Sequence, residues 1–161
     1  MAAFVNHNSA IILLVLVAGV AAMLAWEHRR SWRALGVIAF VVLVLSAGYA
    51  DARHGPSDVA TIAEVEGLLA AGHPVVLEVY SDACSMCLIS NRAVDRLERE
   101  LEGRAAVLRL NLNDDVGRTA ARRYGVRITP TFIVFSPDGR ELYRESGYPD
   151  TGRLEAEAAA S

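Results

Sequence analysis

The chain carries only two cysteines, Cys84 and Cys87, and they stand together as Cys84-Ser85-Met86-Cys87. Two thiols separated by two residues can hold and pass two electrons as a disulfide. Where such a pair opens a helix, the first thiol meets the positive end of the dipole and free backbone N–H groups, which stabilise its thiolate and lower its pKa. Cys84 is expected to be that thiol. Cys87 falls one turn further along, close enough to attack a mixed disulfide formed on Cys84. Two other uses of the pair stay open. A structural disulfide would close so short a loop that it constrains the unfolded chain little. Half of a zinc site would need further ligands, yet His7, His28, His54 and His73 all precede the cysteines, so no metal is expected.

Redox chemistry at Cys84 needs a strand that delivers it and a helix that starts at it. Residues 75–80, VVLEVY, are a short β-branched run, apolar on both faces as a strand covered by helices would be. Ser81-Asp82-Ala83 makes the turn. From Met86 the apolar positions fall at Ile89, Ala93, Leu97 and Leu101, one face of a helix that Gly103 ends. Upstream, Ser57 or Asp58 is the expected N-cap of a helix running to about Ala71, stopped by Gly72, His73 and Pro74. Downstream, the pattern predicts a strand over 105–112, a helix over 116–124 closed by Gly125, and a strand over 131–135. The turn signature Ser136-Pro137-Asp138-Gly139 joins it to a strand near 140–145 as an antiparallel hairpin, before a last helix over 151–160. The expected fold class is α/β, a mixed sheet with helices on both faces.

Three features recur together: the strand 75–80, the Cys84-Ser85-Met86-Cys87 motif opening a helix, and Tyr124-Gly125-Val126-Arg127-Ile128-Thr129-Pro130-Thr131. In order and spacing, over roughly residues 58–155, they resemble the thioredoxin superfamily. The stretch Glu78-Val79-Tyr80-Ser81-Asp82-Ala83-Cys84 looks most like membrane-tethered thioredoxin-like proteins and the thioredoxin-like domains of bacterial envelope reductases. The resemblance implies a cis peptide before Pro130 that lays Thr129 against the cysteine motif, so that Thr129 and Pro130 bind a peptide substrate. It also implies that Glu78 is a buried acid behind Cys87, its pKa raised by burial, which accepts the Cys87 proton. The alternative is a Glu78 facing solvent at the strand's end. Arg109 falls where thioredoxins carry a lysine near that acid, although a strand arginine usually snorkels to the surface. Ala83 replaces the tryptophan that commonly precedes the first cysteine, and Ser85 and Met86 replace a glycine-proline pair. Ser85 and Met86 tune thiolate stability, so the family's reduction potential does not transfer to this chain. The family's additional first strand has little counterpart after Ala50.

Apolar residues make up 53% of the chain and gather in 9–26 and 34–50, whereas 51–161 hold 18 of the 19 acids and 13 of the 16 basic residues. The net charge of −3, with no basic stripe, excludes a nucleic-acid partner. An 18-residue run at ~1.5 Å per residue reaches roughly 27 Å, so residues 1–50 read as a transmembrane helical hairpin in a lipid bilayer. Residues 51–57 are then a linker and 58–161 the thioredoxin-like domain. Arg29, Arg30 and Arg33 lie between the runs, flanked by Trp26 and Trp32, against Arg53 alone just after them. That bias puts the loop in the cytoplasm and the domain on the extracytoplasmic, periplasmic side of a bacterial plasma membrane. Buried core helices, or signal-type cleavage near 46–50, are the alternatives.

The expected activity is that of a membrane-anchored thiol:disulfide oxidoreductase. Its partners would be protein thiol or disulfide substrates and a membrane electron donor or acceptor, as in relays serving cytochrome c maturation. No cofactor is expected beyond the Cys84 and Cys87 pair itself. The competing reading is a non-catalytic peptide-binding or redox-sensing module on the same fold.

Overall fold

The computed structural model describes residues 6–27 and 32–160. Helices α1 (Ser9–Glu27) and α2 (Trp32–Ala52) come first, then α3 (Ile62–Leu69), β1 (Val75–Tyr80), α4 (Ser85–Leu101) and β2 (Ala106–Asn111). Helix α5 (Asp115–Arg123), β3 (Thr131–Phe135), β4 (Glu141–Ser146) and α6 (Thr151–Ala159) complete the order. The strands form one mixed sheet in the order β2-β1-β3-β4. β1 runs parallel to β2 and antiparallel to β3, and β3 and β4 form the expected hairpin. A parallel pair needs a crossover, and here the crossover is α4, the helix that carries the cysteines.

All six residues of β1 are buried, as a central strand requires. Their alternation sorts two cores. Val75, Leu77 and Val79 pack with Leu108, Leu110, Ile133 and Phe135 beneath α3 and α5. Val76 packs with Phe132 and Val134 beneath α4 and α6, against Val94, Leu97, Leu101 and Leu154. Glu78 and Tyr80 share the parity of Val76, so the sheet itself turns the acid toward the cysteine helix.

Two expectations are corrected inside this domain. Thr61 caps α3, not Ser57 or Asp58: its Oγ1 accepts from Glu64 N–H at 3.3 Å, while Glu64 Oε2 accepts from Ala60 N–H at 3.0 Å. Ser57 and Asp58 instead serve β2, where Ser57 Oγ accepts Asn111 N–H at 2.8 Å and Asp58 Oδ2 accepts Arg109 N–H at 2.6 Å. The linker, residues 51–57, is held through Ser57 to the outer strand. Ile89, expected in the core face of α4, is 66% exposed because Cys87, Ser90, Ala93, Val94, Leu97 and Leu101 fill the buried stripe.

The largest correction concerns the N-terminal runs. Both are helical and touch each other, but among the described residues no helix is long and apolar enough to cross a membrane. The expected transmembrane hairpin is thus not supported, and the placement of the domain outside a plasma membrane is withdrawn with it. For α1 the physical reason lies in its first turn. Ser9 and Ala10 are bound to the thioredoxin-like body, and the 16 residues from Ile11 to Trp26 rise only about 24 Å, short of a hydrocarbon core of about 30 Å. The arginine-rich loop that set the orientation falls largely on residues 28–31, outside the described residues.

Candidate active site

β1 ends at Tyr80, and the turn through Ser81 to Ala83 hands the chain to α4 with Cys84 as its N-cap, in extended conformation. Cys84 N–H donates to Ser81 O at 3.0 Å, and Leu88 N–H returns to Cys84 O at 3.2 Å. Both thiols are free and buried. The Cys84 thiol is pulled down to about 5, first by a hydrogen bond from the Cys87 side chain, against the opposing effect of burial. Backbone N–H groups of Met86 and Cys87, at the open end of the helix, add to the effect. Cys87 moves the other way: burial, then the neighbouring Cys84, push its thiol far above the ordinary range. One sulfur is built to be a thiolate and the other to keep its proton until something removes it.

The Thr129-Pro130 peptide is cis. Thr129 O lies 3.4 Å from Cys84 Sγ, so this loop forms the wall opposite the helix start. Ser85 and Met86 lie between the cysteines on the first turn of α4, Ser85 half-buried and Met86 exposed.

Glu78 is buried, which removes the solvent-facing alternative. Burial pushes its carboxyl up to about 7, against the pull of the Arg109 guanidinium beside it. Glu78 lines one tight pocket with Cys87, Asn91, Arg109 and His54. Arg109 is the second surprise. It is 2% exposed, and it does not snorkel. Its Nε donates to Glu78 at 2.8 Å, its Nη1 to Asp95 at 2.8 Å, and its Nη2 to Asn91. The register explains the pairing, because Glu78 and Arg109 are direct neighbours on the parallel strands β1 and β2.

The fold therefore brings Cys84, Cys87, Glu78, Thr129 and Pro130 to one place. Sequence reasoning missed Asn91 and Asp95, although Cys87, Asn91 and Asp95 recur every four residues along one stripe of α4, a signal that was there to read. It also missed the anchoring of the segment before α3: Tyr80 Oη donates to Gly55 O at 2.7 Å, and Asp82 accepts from His54 N–H at 3.0 Å and from Asn111 Nδ2 at 2.9 Å. Asn6 and Ser9 also reach the site, and no spacing rule links positions so distant. Among the described residues there is no cluster able to hold a metal ion.

Residues 63–160 match a family model described as a thioredoxin-like domain; the match begins beyond both N-terminal helices. Among curated proteins the chain is similar to a thioredoxin of Rickettsia conorii, 27% identical over 62 residues that cover 38% of this chain and 57% of that protein. It is similar also to a thioredoxin of Synechocystis sp., 29% identical over 70 residues that cover 44% of this chain and 64% of that protein. The matches thus span less than two thirds of these relatives. Among solved structures, Fasciola hepatica thioredoxin superposes with a TM-score of 0.52 at 28% identity, covering 61% of this chain and 92% of that one. A thioredoxin variant from Halobacterium salinarum gives 0.55 at 24% identity, covering 63% and 86%.

Proposed function

Because the chain belongs to the thioredoxin superfamily through its thioredoxin-like domain, we propose that it is a thiol:disulfide oxidoreductase acting on protein disulfides through Cys84 and Cys87. The observation that carries the reading is the opposed pair of thiols: Cys84 lowered to about 5 at a helix start, Cys87 raised beside it.

The Cys84 thiolate attacks one sulfur of a substrate disulfide. A Cys84–substrate disulfide forms, and the other substrate sulfur leaves as a thiolate that takes up a proton. Cys87 then gives its proton to Glu78 and attacks the Cys84 sulfur. The mixed disulfide breaks, the second substrate thiolate leaves, and Cys84 and Cys87 end as a disulfide, so two electrons have passed to the substrate. Glu78 suits the proton transfer because its raised pKa, about 7, lies near the working pH. Thr129 offers its backbone to the substrate chain beside Cys84, and Ser85 and Met86 set the surroundings of the thiolate. A dithiol donor must return the two electrons; the cysteine pair is the redox centre and needs no other cofactor. Run backwards, the same steps oxidise a client dithiol.

The test is disulfide reduction by the full chain with dithiothreitol as electron source. Cys84→Ser is expected to lose the catalysed rate entirely, and Cys87→Ser to stall as a mixed disulfide with substrate. A Cys84→Ser protein with the wild-type rate would refute the mechanism.

A further inference from the structure

Cys84 has no exposed surface, although an exchanging thiolate must touch its substrate. The opening is occupied by residues 6–10. Asn6 Nδ2 donates to Thr129 O at 3.1 Å, while Asn6 Oδ1 accepts Thr129 N–H at 2.8 Å and Thr129 Oγ1–H at 3.1 Å. One side-chain amide thus satisfies both backbone groups of the residue before Pro130, as a peptide strand added at this edge would. Thr129 O is also the atom that faces Cys84 Sγ.

The same short segment grips the opposite wall. Ser9 Oγ accepts Ser85 N–H at 2.9 Å and lies 2.9 Å from Ser85 Oγ. Ala10 N–H donates to Ala83 O at 2.8 Å, and Ser81 Oγ donates to His7 O at 3.1 Å. Residues on both sides of Cys84, 83 and 85, are therefore engaged, together with the Thr129 edge across from it.

We propose that residues 6–10 are a built-in competitor for the peptide-binding edge, a strap that must leave Thr129 before a substrate disulfide can reach Cys84. The inference rests on the oxidoreductase reading and adds its regulation. The strap is suited to release. Its grip is made of hydrogen bonds that water can replace, and docking leaves His7 Nε2 buried with no hydrogen-bond partner among the described residues, a loss that undocking repairs.

The experiment compares the full-length wild type with the double variant Asn6→Ala, Ser9→Ala, both reduced. It measures the rate of Cys84 alkylation by iodoacetamide and the rate of exchange with a peptide disulfide. Removing these contacts is expected to raise both rates about fivefold or more, the effect of losing one or two net hydrogen bonds. Unchanged rates in a variant with native circular dichroism would overturn the strap and leave the oxidoreductase intact. Faster alkylation with no exchange in either protein would uphold the cover over Cys84 and refute the oxidoreductase reading instead. Should the double variant lose its native spectrum, Asn6→Ala alone carries the same test, with a rise of about twofold or more expected, because among the described residues that one amide makes the strap's hydrogen bonds to Thr129.

Discussion

Cys84 owes its low pKa first to the hydrogen bond from Cys87 and only then to the helix start. Cys87→Ala is therefore expected to raise the Cys84 pKa from about 5 toward the ordinary thiol value, whereas Cys87→Ser, which keeps a donor, raises it less. The pH dependence of alkylation measures both, and an unmoved pKa in Cys87→Ala would show that the helix start suffices. The sign for stability follows. A folded pKa below the unfolded one, about 9, gives the reduced protein stability that is complete above about pH 9 and lost as pH falls through about 5. Urea unfolding of reduced wild type against Cys84→Ala should show that difference shrinking over this window. The cysteines were legible from their motif, and Glu78 from its position in the family resemblance. The resemblance placed Arg109 near Glu78, as found; only its exposure was misread, because propensity reports an average arginine, whereas this one is fixed by a register neighbour and by Asn91 and Asp95 on α4, contacts that exist only once the sheet and helix meet. Asn6 was illegible for a similar reason: its partner, Thr129, is 123 positions away.

Among the elements, α5 is placed with the least tolerance. A Cβ on Gly117 would fall 1.9 Å from Asn111 O and 2.4 Å from its carbonyl carbon, because the first turn of α5 lies directly on the chain leaving β2. Alanine in an ordinary helix interior stabilises by roughly 0.5–1 kcal/mol relative to glycine. Gly117→Ala should reverse that sign and destabilise by about 1–3 kcal/mol or more, since the obstacle is backbone and cannot swing away. The denaturation midpoint measures it, and a midpoint at or above wild type would show that α5 can shift. Element boundaries were readable to within a few residues where turns are marked, as at Ser136 to Gly139, and least so at α3, where Ser57, Asp58 and Thr61 all resemble caps. Thr61 was passed over although Thr61 and Glu64 hold the capping-box spacing, and what excludes Ser57 and Asp58 is their engagement by β2, a strand about 50 residues later.

For the whole molecule, the thiolate preference of the reduced form sets how strongly the protein holds its electrons. A Cys84 pKa of about 5 lies between about 7 for thioredoxin and about 3.5 for the family's strong oxidants. The potential of the full chain, titrated against glutathione, is expected between their values of about −270 mV and about −120 mV. A potential at or below −270 mV would contradict the low pKa. The N-terminal runs show where reading by hydropathy alone fails: apolar composition suggested lipid, yet among the described residues no helix is long and apolar enough to cross a membrane, and the beginning of α1 is held against the active site. Finally, Ser57 and Asp58 do more than steady β2. By taking the outward N–H groups of Arg109 and Asn111, they leave that margin of the sheet with no row of open donors to template another chain. The remaining margin, β4, carries Glu141, Arg144 and Glu145, charges that discourage stacking of copies side by side. The protein is thus guarded against edge-to-edge self-association at both ends of its sheet, at one end by its own preceding segment and at the other by charge.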